Sequence, residues 1–565
     1  MDFQCLRNAK HFFVFQINLK AMKINLNTLL EWSYVLLFSF FLVYVGLATT
    51  MNYQLNHPFP YGLSASDAFG EVAYTEGIKN LGNYRYLPYY IRSGFDDTLG
   101  FHMPIYNHIV ALFSFASGLQ VWDSLLIIGF LYSIFSVLIM YLIIRNFNKN
   151  IALISLPLTV FLYVRNFNIV YTWGIWDLVM ATSFLLAAIW ILNKTNLSSW
   201  HVALAILVSG VALTHISEAI FLAIFIALFF AVKIIMKKLS LNEIKKIILA
   251  GILTLIFSFY YLVIFKVGYA LGGTATSIKY EAPKWFDVIL TQFGWVLPII
   301  IIGVLLSIFL ILTKKGNIAL FIGIFMLFIG FTNFISSFAS RAFQTRYLWP
   351  IYLSIFIGIV PYFLLKIFIK NWKIIYSISI SLVLTISITY AFYEKTANPG
   401  IMNQFHWEHI SWIRESTPED ARLMYFYGDP YDQEAVIWNN KRVSYRVKMD
   451  DFVNAINERK IKRQYYAQVA AADDADLLYR KSAFSFGYHA KETDTSIYIG
   501  PQDICQFDYF IFDKIGRQQA LVDYNLLIAN ELIRSGIVEV IFDNQVTVIL
   551  KNNNLGGNCI EERDF

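Results

Sequence analysis

The chain has 565 residues, of which 57% are hydrophobic and 17% aromatic while only 15% are charged, and its mean hydropathy is +0.53. Such a composition excludes a single soluble globule and demands several membrane spans. The formal net charge of +6 lies in short basic clusters between apolar runs, which is the pattern of membrane topology and not of a nucleic-acid-binding face.

In chain order, residues 1–28 form a basic N-terminal segment. Apolar runs long enough to cross a hydrocarbon layer of about 30 Å follow near 29–50, 121–144, 151–170, 174–192, 200–218, 219–236, 247–266, 288–312, 317–334, 349–369 and 373–393. About eleven transmembrane helices are therefore expected over 29–393. The positive charge occupies alternate connections: Arg7 to Lys23, Arg145 with Lys149, Lys194, the cluster Lys233 to Lys246, Lys314 with Lys315, and Lys366 to Lys373. By the positive-inside rule these connections and the N-terminus are cytoplasmic. The count requires "HMPIYNHIVALFSFASG", residues 102–118, not to cross. Its apolar stretch is short and Pro104 opens it as a helix, so it is expected to lie in the outer interface, inside an outer loop spanning 51–120. The first apolar run is too long for a cleavable signal and lacks a small-residue cleavage site.

From residue 394 onward the chain reads as a soluble α/β domain reaching 565. An odd number of spans after a cytoplasmic start puts it outside the cell. "ARLMYFY", "RVSYRV", "DYFIFDK" and "VEVIFDNQVTVIL" alternate like strands, and residues 450–480 read as helix. Cys5, Cys505 and Cys559 have no metal-ligand spacing; a Cys505–Cys559 bridge is compatible with the sequence but not demanded by it. No internal repeat suggests a two-fold transporter.

On this topology the ionisable residues gather on one face. "SDAFGEVAYTEGIKN" puts Asp67 and Glu71 four residues apart, on one helical face with Tyr74 and Ile78. Asp96, Asp97 and His102 share the first outer loop. Asp177 opens the fourth span, His215 and Glu218 in "LTHISEA" end the fifth, and Arg341 and Arg346 precede the tenth. Each has a plain structural reading: a solvated helix face for Asp67 and Glu71, a turn for Asp96 and Asp97, a helix cap for His102, a core histidine with a local partner for His215 and Glu218, and headgroup contact for the arginines. Their convergence is what favours function.

These segments resemble those of the GT-C superfamily, membrane glycosyltransferases that take sugars from polyprenyl carriers at the outer membrane surface. The resemblance lies in the acid-bearing first outer loop and in "HMPIYNHIVALF", which is similar to a juxtamembrane helix of that superfamily, while "RNFNIVYTWGIWDLVMA", "LTHISEAI" and "FQTRYLWPIY" resemble stretches of a less characterised prokaryotic GT-C-like membrane family. The entry to the soluble domain, "WEHISWIRESTPEDARLMYFYGDPY", is similar in layout to the catalytic subunit of oligosaccharyltransferase. That enzyme's WWDYG signature is absent, with "YFYGDPY" in its place, and its second acidic motif is reduced to Asp177.

The resemblance implies a GT-C-like transmembrane domain at 29–393. It also implies a transfer of sugar from a polyprenyl-phosphate carrier to a glycan, lipid or protein acceptor in the cell envelope. Asp67 is the candidate base or metal ligand. A divalent ion such as Mg²⁺ or Mn²⁺ would draw on Asp67 and Asp177, and a metal-free mechanism is equally admissible. Arg346 and Arg341 are candidates for the phosphate; Glu71, His102, His215 and Glu218 are candidates for lining the substrate. Two other readings fit the same pattern: a non-catalytic polyprenyl-lipid-binding protein, and a lipid or solute transporter.

Overall fold

The computed structural model describes residues 25–82, 90, 104–194, 198–237, 239–261, 292–313, 315–331, 344–393, 399–432, 434–469 and 499–565. Every one of the eleven apolar runs contains helix. Among the described residues six helices are long and apolar enough to cross a membrane, including α1 (Leu26–Met51), which starts on an Asn25 cap that accepts from the Asn27 amide at 3.0 Å. The protein is a multi-pass helical membrane protein. The 151–170 run is not one continuous α-helix: it breaks after Ser155 into a 3-10 segment, Leu156–Tyr163. Pro157 explains the break, since it has no amide to give the α-helical ladder.

Within the bundle the apolar positions divide as helical spacing dictates. In α1, Val35, Phe38, Leu42 and Val45 are buried, whereas Leu29, Leu36, Leu37, Phe40 and Tyr44 face outward, as befits a helix with protein on one side and lipid on the other. Glu31 is buried and paired: Tyr141 donates to it at 2.7 Å, and the Arg145 guanidinium closes the pair.

Two further helices matter for the site. Helix α2 (Ser66–Leu81) and helix α3 (Pro104–Ser117) pack side by side, joined where Lys79 Nζ donates to Ser114 Oγ at 2.9 Å. Pro104 opens α3 as the sequence indicates.

Among the described residues the C-terminal domain is built on a seven-stranded sheet whose order is β5 (Ile499–Asp503), β4 (Gln464–Val469), β2 (Val443–Val447), β1 (Arg422–Tyr425), β6 (Tyr509–Asp513), β8 (Thr547–Asn552) and β7 (Val538–Asp543), with β1 parallel to β2 and β6. Strand alternation gives it two cores. Leu423, Tyr425, Ile511 and Ile549 point to the side that joins the core of the bundle. Met424, Phe426, Phe510 and Phe512 point to the other, under the helix Gln519–Arg534. A parallel centre buried on both faces needs such nearly unbroken apolar strands.

The expected helix over 450–480 is shorter than its sequence implies. Helix ends at Asn457, and Gln464–Val469 forms β4, paired antiparallel with β2 and with β5 (Ile499–Asp503). Tyr465, Ala467 and Val469 supply the buried side, and cross-strand pairing outweighs the helix preference of the intervening Gln and Ala residues. Residues 470–480 lie outside the described residues. Cys505 and Cys559 form a disulfide, both fully buried. Between the sheet and the helix Gln404–Ser416, Asp513 accepts from His406 Nε2 at 3.2 Å and from Thr547 Oγ1 at 3.1 Å. Burial lifts the Asp513 carboxyl above the usual carboxylate range, and the His406 bond works against that rise.

Candidate active site

Asp67 sits in the first turn of α2 and is exposed; Glu71, one turn on, is buried. A carboxylate in a first turn also favours its own helix through the dipole. The loop carrying "YTWGIWD" presses against this turn. Ser64 N donates to Thr172 O at 2.8 Å, and a Cβ on Gly174 would lie 2.4 Å from Ala68 Cα. At φ +85° and with no room for a side chain, position 174 is restricted to glycine. The close approach brings the start of α7 (Trp176–Leu192), with half-buried Asp177 in its first turn, to the start of α2.

The other site residues join at the same place. Tyr106 of α3 is within electrostatic range of both Glu71 and Asp177, Asp177 of Glu218, and Glu218 of Tyr352, whose hydroxyl donates to Thr182 Oγ1 at 3.0 Å. Glu218 lies in the first turn of α9 (Ile216–Ile235) and is fully buried. His215 precedes that helix and donates through Nε2 to Gln344 Oε1 at 3.1 Å. Arg346, two residues on, is buried and not spread on the surface: its Nε donates to Gly330 O at 2.6 Å, with the rings of Phe331 and Trp349 each 6.0 Å away. His102, Arg341, Asp96 and Asp97 lie outside the described residues.

Three residues not singled out from sequence also belong to this region. Among the described residues the Thr75 hydroxyl, both amide atoms of Asn107, the Trp176 indole nitrogen and both carboxylate oxygens of Glu218 are buried and meet no hydrogen-bond partner. Buried polar atoms are ordinarily satisfied, so a group of them where α2, α3, α7 and α9 meet suits a polar ligand. The one sequence clue to Asn107 is its polarity inside the otherwise apolar run of "PIYNHIVALF".

For a divalent cation, Asp67 and Asp177 offer two carboxylates at one end of the bundle. A cation that keeps water and takes phosphate oxygens needs only one or two from the protein, and the first turns of α2 and α7 carry one each. Among the described residues no three of His, Cys, Asp and Glu gather as a ligand set.

No protein-family model matches the chain, and no curated protein matches it by sequence. Solved structures do. A crystal structure of ArnT from Cupriavidus metallidurans in the apo state aligns over 94% of this chain and 99% of that one, with a TM-score of 0.55 and 10% identity. The chain shares the fold of that structure. The same enzyme bound to undecaprenyl phosphate aligns over 92% and 98%, with a TM-score of 0.51 and 12% identity. An apo oligosaccharyltransferase from Archaeoglobus fulgidus reaches a TM-score of 0.49 over 72% of this chain and 64% of that one, at 13% identity, and carries no weight. At these identities the likeness is one of fold.

Proposed function

We propose that this GT-C-like protein is a glycosyltransferase that moves a sugar from a polyprenyl-phosphate carrier to an acceptor at the outer membrane face. One observation carries the reading: α2 with Asp67 and Glu71, α7 with Asp177 and α9 with Glu218 meet at one end of the bundle in the fold shared with ArnT, one structure of which holds undecaprenyl phosphate. A transferase must take a proton from the acceptor and stabilise the departing phosphate. Asp67, exposed at the helix start, is placed to accept the proton. Arg346 offers a guanidinium whose fork matches phosphate oxygens, and Glu71, His215 and Glu218 line the sugar. Asp67 and Asp177 would hold a divalent ion, which would supply charge neutralisation at the phosphate. The test is purified protein with labelled polyprenyl-phosphate sugars; no transfer and no hydrolysis with any donor would overturn the proposal.

If Arg346 clamps phosphate, Arg346→Ala weakens donor use by roughly tenfold and Arg346→Lys by less, because Lys keeps the charge but loses the fork. Titration of carrier phosphate in the two variants measures this. Binding equal to wild type in both would leave Arg346 as a packing residue.

The same proposal divides the chain into a cytoplasmic segment at 1–28, the bundle at 29–393 and an outer domain at 394–565. The Cys505–Cys559 bridge supports the last assignment, since disulfides persist in oxidising compartments. Single cysteines at positions 267–287 and on the C-terminal domain should react with an impermeant reagent in intact cells, and one at Lys237 should not. Asn193 and Asn196, in sequon context, should carry no glycan. Outside labelling at position 237 would reverse the topology.

A further inference from the structure

The C-terminal domain has a share in the site that its position in the sequence does not suggest. Helix α2 has 16 residues, and Ala65 at its start gives no side-chain cap; a helix of this length is marginal by itself, so its placement is set by what it packs on. The bundle holds one side through the Gly174 loop, α3 and Lys79. The other side is held by residues 435–441. Ala435 N donates to Ser66 Oγ at 3.4 Å, and Asn439 Nδ2 donates to Phe69 O at 3.4 Å. Trp438, itself 6% exposed, lies against the bare backbone of Gly70: a Cβ there would be 3.5 Å from its ring. The same ring meets Tyr74 edge-on at 5.9 Å between centroids. One turn further, Glu76 pairs with Lys441 at 2.8 Å and Arg414 at 3.5 Å. These contacts run from Ser66 to Glu76, most of the helix. The approach to α2 is held as well: Gly62 N donates to Pro399 O at 2.8 Å and Ile401 N to Leu63 O at 2.9 Å.

We propose that Trp438 and Lys441 are positioning residues, through which the C-terminal domain holds α2, and with it Asp67 and Glu71, in register with the starts of α7 and α9. The proposal rests on the reading of the site given above. Their contacts described above fall on Gly70, Tyr74 and Glu76, so they act through the helix. A misplacement of about 1 Å is enough to cost on the order of a hundredfold in a reaction that depends on geometry, while a carrier held from the bundle side would still bind.

The experiment compares full-length wild type, Trp438→Ala, Trp438→Phe and Lys441→Gln in detergent, by amide hydrogen exchange over residues 66–81 and by turnover. Trp438→Ala is expected to speed exchange in 66–81 by roughly tenfold, with the strands β1 and β6 unchanged. It is also expected to lower kcat by roughly tenfold or more with donor KM within about twofold of wild type. Trp438→Phe should restore most of both. Lys441→Gln, a change at the edge of the contact that leaves the sheet core whole, should move both in the same direction and less far, so the test survives a Trp438→Ala protein that fails to fold. Exchange in 66–81 at the wild-type rate in both Trp438→Ala and Lys441→Gln overturns the inference, as does a kcat loss matched by loss of folded protein. If the wild type turns over no donor, the transferase reading falls, and the exchange result alone decides whether the domain positions α2.

Discussion

Asp67→Asn is expected to cut sugar transfer by roughly a hundredfold or more, the usual scale for a positioned general base, with little change in melting temperature. The substitution keeps size and shape and removes only the charge. Because Asp67 is exposed, its neutral amide leaves no unmet buried group, and loss of the dipole interaction of a first-turn acid costs about 0.3–1 kcal/mol. Glu71 differs: it is buried beside Tyr106, so Glu71→Gln should disturb packing more and transfer less. A purified Asp67→Asn protein that transfers at the wild-type rate from every donor the wild type accepts would make this carboxylate a solvated helix end and remove the principal residue of the proposal.

Removing the Cys505–Cys559 disulfide is expected to destabilise the C-terminal domain by about 4 kcal/mol, the chain-entropy estimate for a closed loop of 54 residues. For a domain of this size that corresponds to a fall of roughly 10 °C in its melting temperature. The bridge ties the turn after β5 to the C-terminal tail, where Gly556 N donates to Cys505 O at 2.9 Å; without it the tail keeps the pairing of Arg563–Asp564 with Lys460–Ile461 and the bond from Arg463 N to Glu562 Oε1 at 3.0 Å. Cys505→Ser with Cys559→Ser, followed by calorimetry of the full-length protein with and without reductant, measures the effect. A reduced wild type that melts as the oxidised one does would show that the bridge is absent or without weight. If the domain loosens, α2 should loosen with it, which joins this measurement to that on Trp438.

The spans were legible because one physical demand, a long enough apolar run, overrides everything else in a bilayer. The parallel strands β1, β2 and β6 were legible for a related reason, as short runs of Tyr, Phe, Ile and Val. What escaped depends on partners distant in sequence. "RQYYAQV" has the composition of a helix, and only pairing with β2 and β5 makes it a strand. Arg346 was singled out for phosphate, but its burial and its bond to the Gly330 carbonyl depend on a residue 16 positions away. The carboxylates could be singled out from sequence because each opens or closes an apolar run. Asn107, Thr75 and Trp176 were missed because nothing local marks a polar atom as lacking a bond; that depends on three helices coming together.

The contact of Ala435 with Ser66 joins residues 369 apart in the chain. At ordinary synthesis rates of about 5–20 residues per second, α2 emerges roughly 20 to 70 s before the segment that completes its seat. During that interval every later span is inserted with the Asp67 helix only half enclosed. The protein is therefore expected to acquire its working geometry as the last event of biogenesis, and a ribosome that stalls before Trp438 leaves an inserted bundle with no assembled site.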